Sequence, residues 1–260
     1  MRHAMIASIL ALSCGLPASA QTPLPPAETL GIYSGAAAET RTVLTFKVGD
    51  DVVQKLLPEG WTVAPIAQGP AKGANLSIVF AERLATVDPS GKAAGGEEAT
   101  VILSVPARKA DETAFAIVAA YSDAATAPGF YKVGKPAKVS LERAVRVTNL
   151  SGKVEETWSV AGEAGERIDF RIGYERLQPG RAQFDSRNVS AADGQVRRTY
   201  RIDQGLVVLA STPNGVDKTT GLTFRATGGL PGTLFDGSQQ LVSAVSLPWY
   251  SRQLYVPASQ

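Results

Sequence analysis

The sequence predicts a mainly β fold, α+β in class: one domain with few short helices, built as a curved antiparallel sheet or closed barrel. Three observations carry this. In "RIDFRIGYERL", Ile168, Phe170, Ile172 and Tyr174 fall on one side of an extended chain, with Asp169, Arg171 and Gly173 on the other. Turn signals separate β-rich runs, at Asn149 to Lys153 and at Asp193-Gly194. Helical spacing is confined to one short stretch. The 260 residues suffice for one large domain or two small ones. No linker after residue 39 divides them, and no repeat of fixed period occurs.

The elements follow in order. Residues 21–39, rich in Pro and small side chains, read as a flexible leader before a β domain over residues 40–257. "RTVLTFKV" is the first strand by its β-branched content. In "GDDVVQKLLPEGW", Asp50 or Asp51 caps a short helix. Val52, Val53, Leu56 and Leu57 give that helix its face, and Pro58 stops it. "ANLSIVFAERL" and "ATVILSVPA" are strands on either side of the Gly-rich loop "PSGKAAGGEE". "TAFAIVAAYS" suits helix or strand, and its neighbours favour strand. "KVSLERAVRVTNLSGKVEETWSV" is two strands and a turn. "RNVSA" and "QVRRTYRI" flank Asp193-Gly194, and "GLVVLAS", "GLTFRAT" and "QQLVSAVSLPWY" complete the set.

The opening twenty residues stand apart. A short basic start precedes the apolar "AMIASILAL", and Ala18-Ser19-Ala20 has the small-x-small pattern of a signal-peptidase site. A cleaved secretory signal over residues 1–20 is expected, which places the mature protein in a periplasm or outside the cell. The apolar run is too short to span a bilayer, so no membrane insertion is expected after signal removal. The only His (His3), the only Cys (Cys14) and both Met (Met1, Met5) lie in this segment. A mature chain without them has no disulfide, no imidazole or thiolate metal site, and no Ser-His-Asp or Cys-His machinery. No cofactor or metal is expected. With Arg2 removed, 25 basic side chains face 24 acidic ones. Nothing in that balance, or in any basic block, points to nucleic acid.

What chemistry remains belongs to Lys, Arg, Glu, Asp, Tyr and Ser. The Gly-rich stretches match neither a P-loop nor a dinucleotide fingerprint. "YKVGKPAKVSLE" sets Lys132, Lys135 and Lys138 three residues apart around Gly134 and Pro136. The bland reading is a solvated basic turn. The reactive one is an amine kept neutral by burial or by a cationic neighbour, able to attack a carbonyl and form a Schiff base. Glu97-Glu98 opens a strand, either as a solvated pair or as a carboxylate at the mouth of a barrel.

Three stretches together resemble the acetoacetate decarboxylase superfamily over roughly residues 40–145. "FKVGDDVVQKLLPEGW" is similar to an early family segment, Tyr-Arg-Thr-Asp-Pro-x-x-Leu-x-x-x-Leu-Pro. "SDAATAPGFYKVGKPAKVS" resembles the active-site segment, with Asp123, Ala125, Gly129, Gly134, Pro136 and Lys138 on matching positions. "EEATVILSVPA" resembles the Glu-bearing strand between them. The resemblance implies a β-barrel of that type and a pocket for a small organic acid or carbonyl compound. By it, Glu98 falls on the active-site Glu, with Glu97 one residue away, and Lys47 falls on an Arg that helps bind a carboxylate, keeping the charge without the bidentate fork.

The departures bear on activity. In the family the first lysine of a Pro-Lys-Lys run forms the Schiff base and the second lowers its pKa. Here the first position is Ala137, and only Lys138 remains; the residue before Pro136 is Lys135 in place of Phe. Two readings follow. One is a binding protein without decarboxylase activity, whose Lys47, Lys135, Lys138 and Tyr131 line the pocket with Glu98 as acceptor. The other is a Schiff-base lyase, a decarboxylase or aldolase-dehydratase, with Lys138 or Lys135 as nucleophile and Glu98 or Tyr131 moving protons. An unrelated β protein with a structural role is the third alternative, and homo-oligomerisation stays open.

Overall fold

The computed structural model describes residues 24–95, 98–123, 127–149 and 151–258. The expected signal segment lies outside the described residues, as do Glu97 and Ala125. In chain order the strands are β1 (Ile32–Lys47), β2 (Thr62–Val63), β3 (Leu76–Val87), β4 (Ala93–Gly95), β5 (Glu98–Lys109), β6 (Glu112–Ser122) and β7 (Gly134–Thr148), followed by β8 (Ser151–Gly162), β9 (Arg167–Glu175), β10 (Gly180–Ser190), β11 (Arg197–Ser211), β12 (Val216–Asp217), β13 (Thr219–Thr227) and β14 (Gln240–Val256). Two short helices interrupt them, α1 (Asp50–Gln54) and α2 (Gly229–Leu234). No helix among the described residues is long and apolar enough to cross a membrane.

The pairings close on themselves. From β6 the ladder runs through β10, β11, β14, β1, β3 and β5 and returns to β6. A closed ring leaves none of these strands as a long free edge. The sheet forks at β6. Its residues Phe115 to Ile117 pair with β10, while Ala120 to Ser122 pair in parallel with Gly134 to Pro136 of β7. From β7 a second, antiparallel sheet continues through β8 and β9 to β13. The ladder is therefore mixed at the fork and antiparallel elsewhere, as the short turns of the sequence require.

The main core lies between this second sheet and one face of the ring. Alternating apolar residues supply it from both sides: Leu44, Ile78, Phe80 and Leu103 from the ring, Trp158, Val160, Ile168 and Phe170 from the second sheet. Phe80 stacks on Phe170 with ring centroids 4.5 Å apart and meets Trp158 at 5.5 Å. A separate cluster on the opposite face of the ring gathers Tyr200, Ile202, Val245, Leu247, Tyr250 and Leu254.

One boundary differs from the sequence reading. Strand β1 begins at Ile32, so residues 32–39 are ladder rather than flexible leader. Small side chains at Ala36 to Ala38 suit a crowded strand as well as a loop. At Gly35, with φ of 131°, a Cβ would stand 2.3 Å from the Val87 carbonyl oxygen, so glycine is what permits the close approach.

Candidate functional site

The lysine-bearing segment is positioned by the fork. Gly134 starts β7 by donating its N–H to the Pro128 carbonyl at 2.8 Å, and a Cβ there would sit 2.6 Å from that oxygen. From this point side chains alternate along β7. Lys135, Ala137, Val139, Leu141 and Arg143 form the more buried set, whereas Lys138 and Ser140 are exposed on the other face. Ala137 is 8% exposed and belongs to the main core. Lys135 lies beside Tyr121 across the parallel ladder and donates to Glu166 Oε1 at 3.1 Å; its own side chain is 41% exposed and that of Glu166 4%. Burial would raise the Glu166 carboxyl, but its own backbone N–H and the Lys135 ammonium bring it below the ordinary value. The Tyr121 hydroxyl is buried with no hydrogen-bond partner among the described residues, and burial, reinforced by Glu166, pushes its ionisation up.

Of the other sequence-indicated residues Lys47 stands apart, whereas Glu98 and Tyr131 lie on the face of the ring opposite the main core, linked through Arg83, Glu39 and Arg252. Glu98 pairs with Arg83 across the β3–β5 ladder. By alternation with Ala99 and Val101 it faces away from the core that holds Ala137. Lys47 ends β1, half-exposed, and bonds Asp50 in the first turn of α1. Tyr131 lies on the opposite face of the ring, its hydroxyl 2.7 Å from that of Tyr200. Burial and then Tyr200 push the Tyr131 phenol well up, so it stays neutral. The structure thus does not bring Lys47, Glu98, Tyr131, Lys135 and Lys138 to one cavity.

A cavity of about 290 Å³ does exist, further along the more buried face of β7. Arg143 is six residues beyond Ala137, roughly 20 Å along an extended strand. It lines the cavity with Glu156 from β8, Tyr174 from β9 and Ser246 from β14. Glu156 is buried and accepts four hydrogen bonds: from Arg143 Nε at 3.2 Å, Tyr174 Oη at 3.1 Å, Thr42 Oγ1 at 2.8 Å and Trp158 Nε1 at 3.3 Å. Arg143 also donates through Nη1 to Glu82. Burial disfavours the guanidinium charge, but Glu156 and Glu82 more than offset this and make it harder to deprotonate. Burial, with Glu156, pushes the Tyr174 phenol upward, so it remains a donor. No group of His, Cys, Asp or Glu among the described residues is arranged to hold a metal ion.

This constellation was not singled out from the sequence, yet a signal for it existed. In "KVEETWSV", Val154, Glu156, Trp158 and Val160 share one face, and an acidic residue in an otherwise apolar alternating set needs buried donors. Arg143 breaks the set of Val139 and Leu141 in the same manner.

No protein-family model matches the chain, and no curated protein matches it in sequence. Solved structures do match in fold. The enduracididine biosynthesis enzyme MppR complexed with pyruvate superposes with a TM-score of 0.55 at 15% identity, over 92% of this chain and 91% of that one. An acetoacetate decarboxylase-like enzyme from Sphingomonas wittichii RW1 gives 0.54 at 13% identity, over 86% and 91%. The acetoacetate decarboxylase of Legionella pneumophila gives 0.50 at 12%, over 90% and 91%. The chain shares its fold with these acetoacetate decarboxylase-like structures. The likeness spans nearly the whole chain, so the acetoacetate decarboxylase fold includes the second sheet and β10 to β14, beyond the stretch whose motifs carried the resemblance.

Proposed function

We propose that this protein is an exported binder of a small organic acid or carbonyl compound that uses the acetoacetate decarboxylase fold without the family's Schiff-base chemistry. Ala137 is the observation that carries this reading. It occupies a core-facing position on β7, where the resemblance puts the imine-forming lysine, and a methyl group forms no imine. Lys138 next to it is exposed, which supports a role outside covalent catalysis. A protein of the same fold has been seen complexed with pyruvate, and again with a condensation product of pyruvate and an aldehyde, which supports small carbonyl acids as the ligand class. Export rests on the signal-like residues 1–20; the secreted protein is expected to begin at Gln21 by N-terminal sequencing.

A second reading is a Schiff-base lyase with Lys135 as nucleophile. It is favoured by the shared face of Lys135 and Ala137 and by the unpartnered hydroxyl of Tyr121 beside them. Against it, Lys135 is partly exposed and held in an ion pair with Glu166, where a nucleophilic lysine is desolvated and unpaired. Borohydride trapping separates the two. The mature protein, incubated with pyruvate, acetoacetate and a panel of aldehydes and then reduced, is expected to keep its intact mass. A stable adduct on Lys135 or Lys138 would establish the lyase reading in its place.

A further inference from the structure

The cavity beside Arg143 has a polar floor in which that guanidinium is shared between two carboxylates, Glu156 and Glu82. Each oxygen of Glu156 receives two donors, and Tyr174 bonds both Glu156 and Ser246, the latter at 3.0 Å. What remains uncommitted is donor capacity. Arg143 uses Nε and Nη1, leaving Nη2 without a partner among the described residues. Arg176 lines the cavity, is exposed, and makes no ion pair among the described residues. The lining holds three arginines and one carboxylate; of the arginines, Arg41 is bonded to Glu39.

The walls are apolar. Val145, Leu177, Pro179, Pro248 and Trp249 surround the opening. Val145 is 50% and Trp249 39% exposed, an unusual pair of large apolar side chains at one mouth. Trp249 is held in place over Gly205, where a Cβ would lie 2.4 Å from its indole nitrogen. A side chain on Gly205 would therefore displace the indole. Apolar walls with a few convergent polar groups are the usual make-up of a ligand site, and 290 Å³ is at the small end of such sites.

We propose that this cavity is the ligand site of the protein, and that it takes a small monocarboxylate with an apolar body, aromatic or branched. The carboxylate binds Arg176 and the free Nη2 of Arg143, and the body lies against Trp249, Leu177 and Pro179. Guanidinium groups suit carboxylates because their donors match the two oxygens. The inference rests on the reading of the protein as a binder of organic acids. It moves the site roughly 20 Å along β7 from the Ala137 position, whose surroundings are packed core.

Isothermal titration with three probes tests it: 3-phenylpropionate, with both charge and ring; pyruvate, with charge alone; and 4-phenyl-2-butanone, with the ring and no charge. The first is expected to bind at least tenfold more tightly than either of the others. Arg176→Gln, at an exposed position, is expected to weaken it about tenfold or more, the size of one charge-assisted hydrogen bond. Val145→Trp, which fills the mouth from a half-exposed position, is expected to abolish it at unchanged melting temperature. If the acids bind but neither variant alters affinity, the site is elsewhere: the inference fails and the binding function stands. Equal affinity for the neutral ketone overturns the ligand class. If no organic acid or carbonyl compound binds, the inference and the proposed function fall together.

Discussion

Glu156 shows what one residue controls. It is a carboxylate in an apolar set, tolerated because Arg143, Tyr174, Thr42 and Trp158 all donate to it. Removing it leaves Thr42 and Trp158 without an acceptor, while Arg143 keeps Glu82 and Tyr174 keeps Ser246. Glu156→Ala is therefore expected to lower unfolding free energy by about 1–3 kcal/mol in urea titration. A loss below about 1 kcal/mol would mean that water replaces the carboxylate and that the floor of the cavity is already wet. The position was legible as an anomaly in the alternation of β8. Its donors were not, because Thr42 is 114 residues away in sequence.

Strand β7 is the element on which the two proposed functions differ. Its alternation sends Ala137 into the core and Lys138 to solvent. Lys138→Ala is expected to change stability by no more than about 0.5 kcal/mol, as at other exposed positions. Ala137→Lys pushes a long cationic side chain into packed surroundings and is expected to cost at least 1–3 kcal/mol from overpacking alone. Urea denaturation of the two variants reads this contrast directly, and similar losses for both would mean that the strand's facing is otherwise. Period-two patterning around "KPAKVSLER" was legible, but Gly134 and Pro136 obscured where the alternation starts. The parallel pairing of Gly134 to Pro136 with β6 fixes it. The same limit applied to β1, whose Ala-rich start lacks the apolar contrast that marks a strand and is held by β3 and β14 instead.

At the scale of the whole molecule, the ring depends on an ion cluster on the face opposite the main core. Glu39 of β1 is 2% exposed and pairs with Arg252 of β14 at 2.7 Å and with Arg41 at 2.6 Å. Burial alone would raise its carboxyl; Arg252 and then Arg41 reverse this and hold it at about 2, against an ordinary 4.5. A carboxyl with a depressed folded-state pKa binds protons more readily when unfolded. Its stabilisation is complete above the unfolded value and is lost as pH falls toward the folded one. This shift corresponds to about 3 kcal/mol, removed between about pH 5 and pH 2. Glu39→Gln is expected to be less stable at neutral pH, because Arg252 loses its counter-charge, and to show a flatter decline over that acid window. Urea midpoints measured at a series of pH values test this, and parallel profiles for the two proteins would refute it.

The sequence by itself determined the β class, the strand runs, the Asp193-Gly194 turn and the short helix after Lys47. These are local: alternation, turn chemistry and helix stop signals act over a few residues. It also pointed to the acetoacetate decarboxylase fold through three short stretches, and to Ala137 as the missing amine. Tertiary structure alone decided which lysine faces the core, that Glu98 and Ala137 look in opposite directions, and that the cavity lies beside Arg143. Those outcomes depend on register and on closure of the ring. Both are set by contacts between residues far apart in the chain, about which no local pattern carries information.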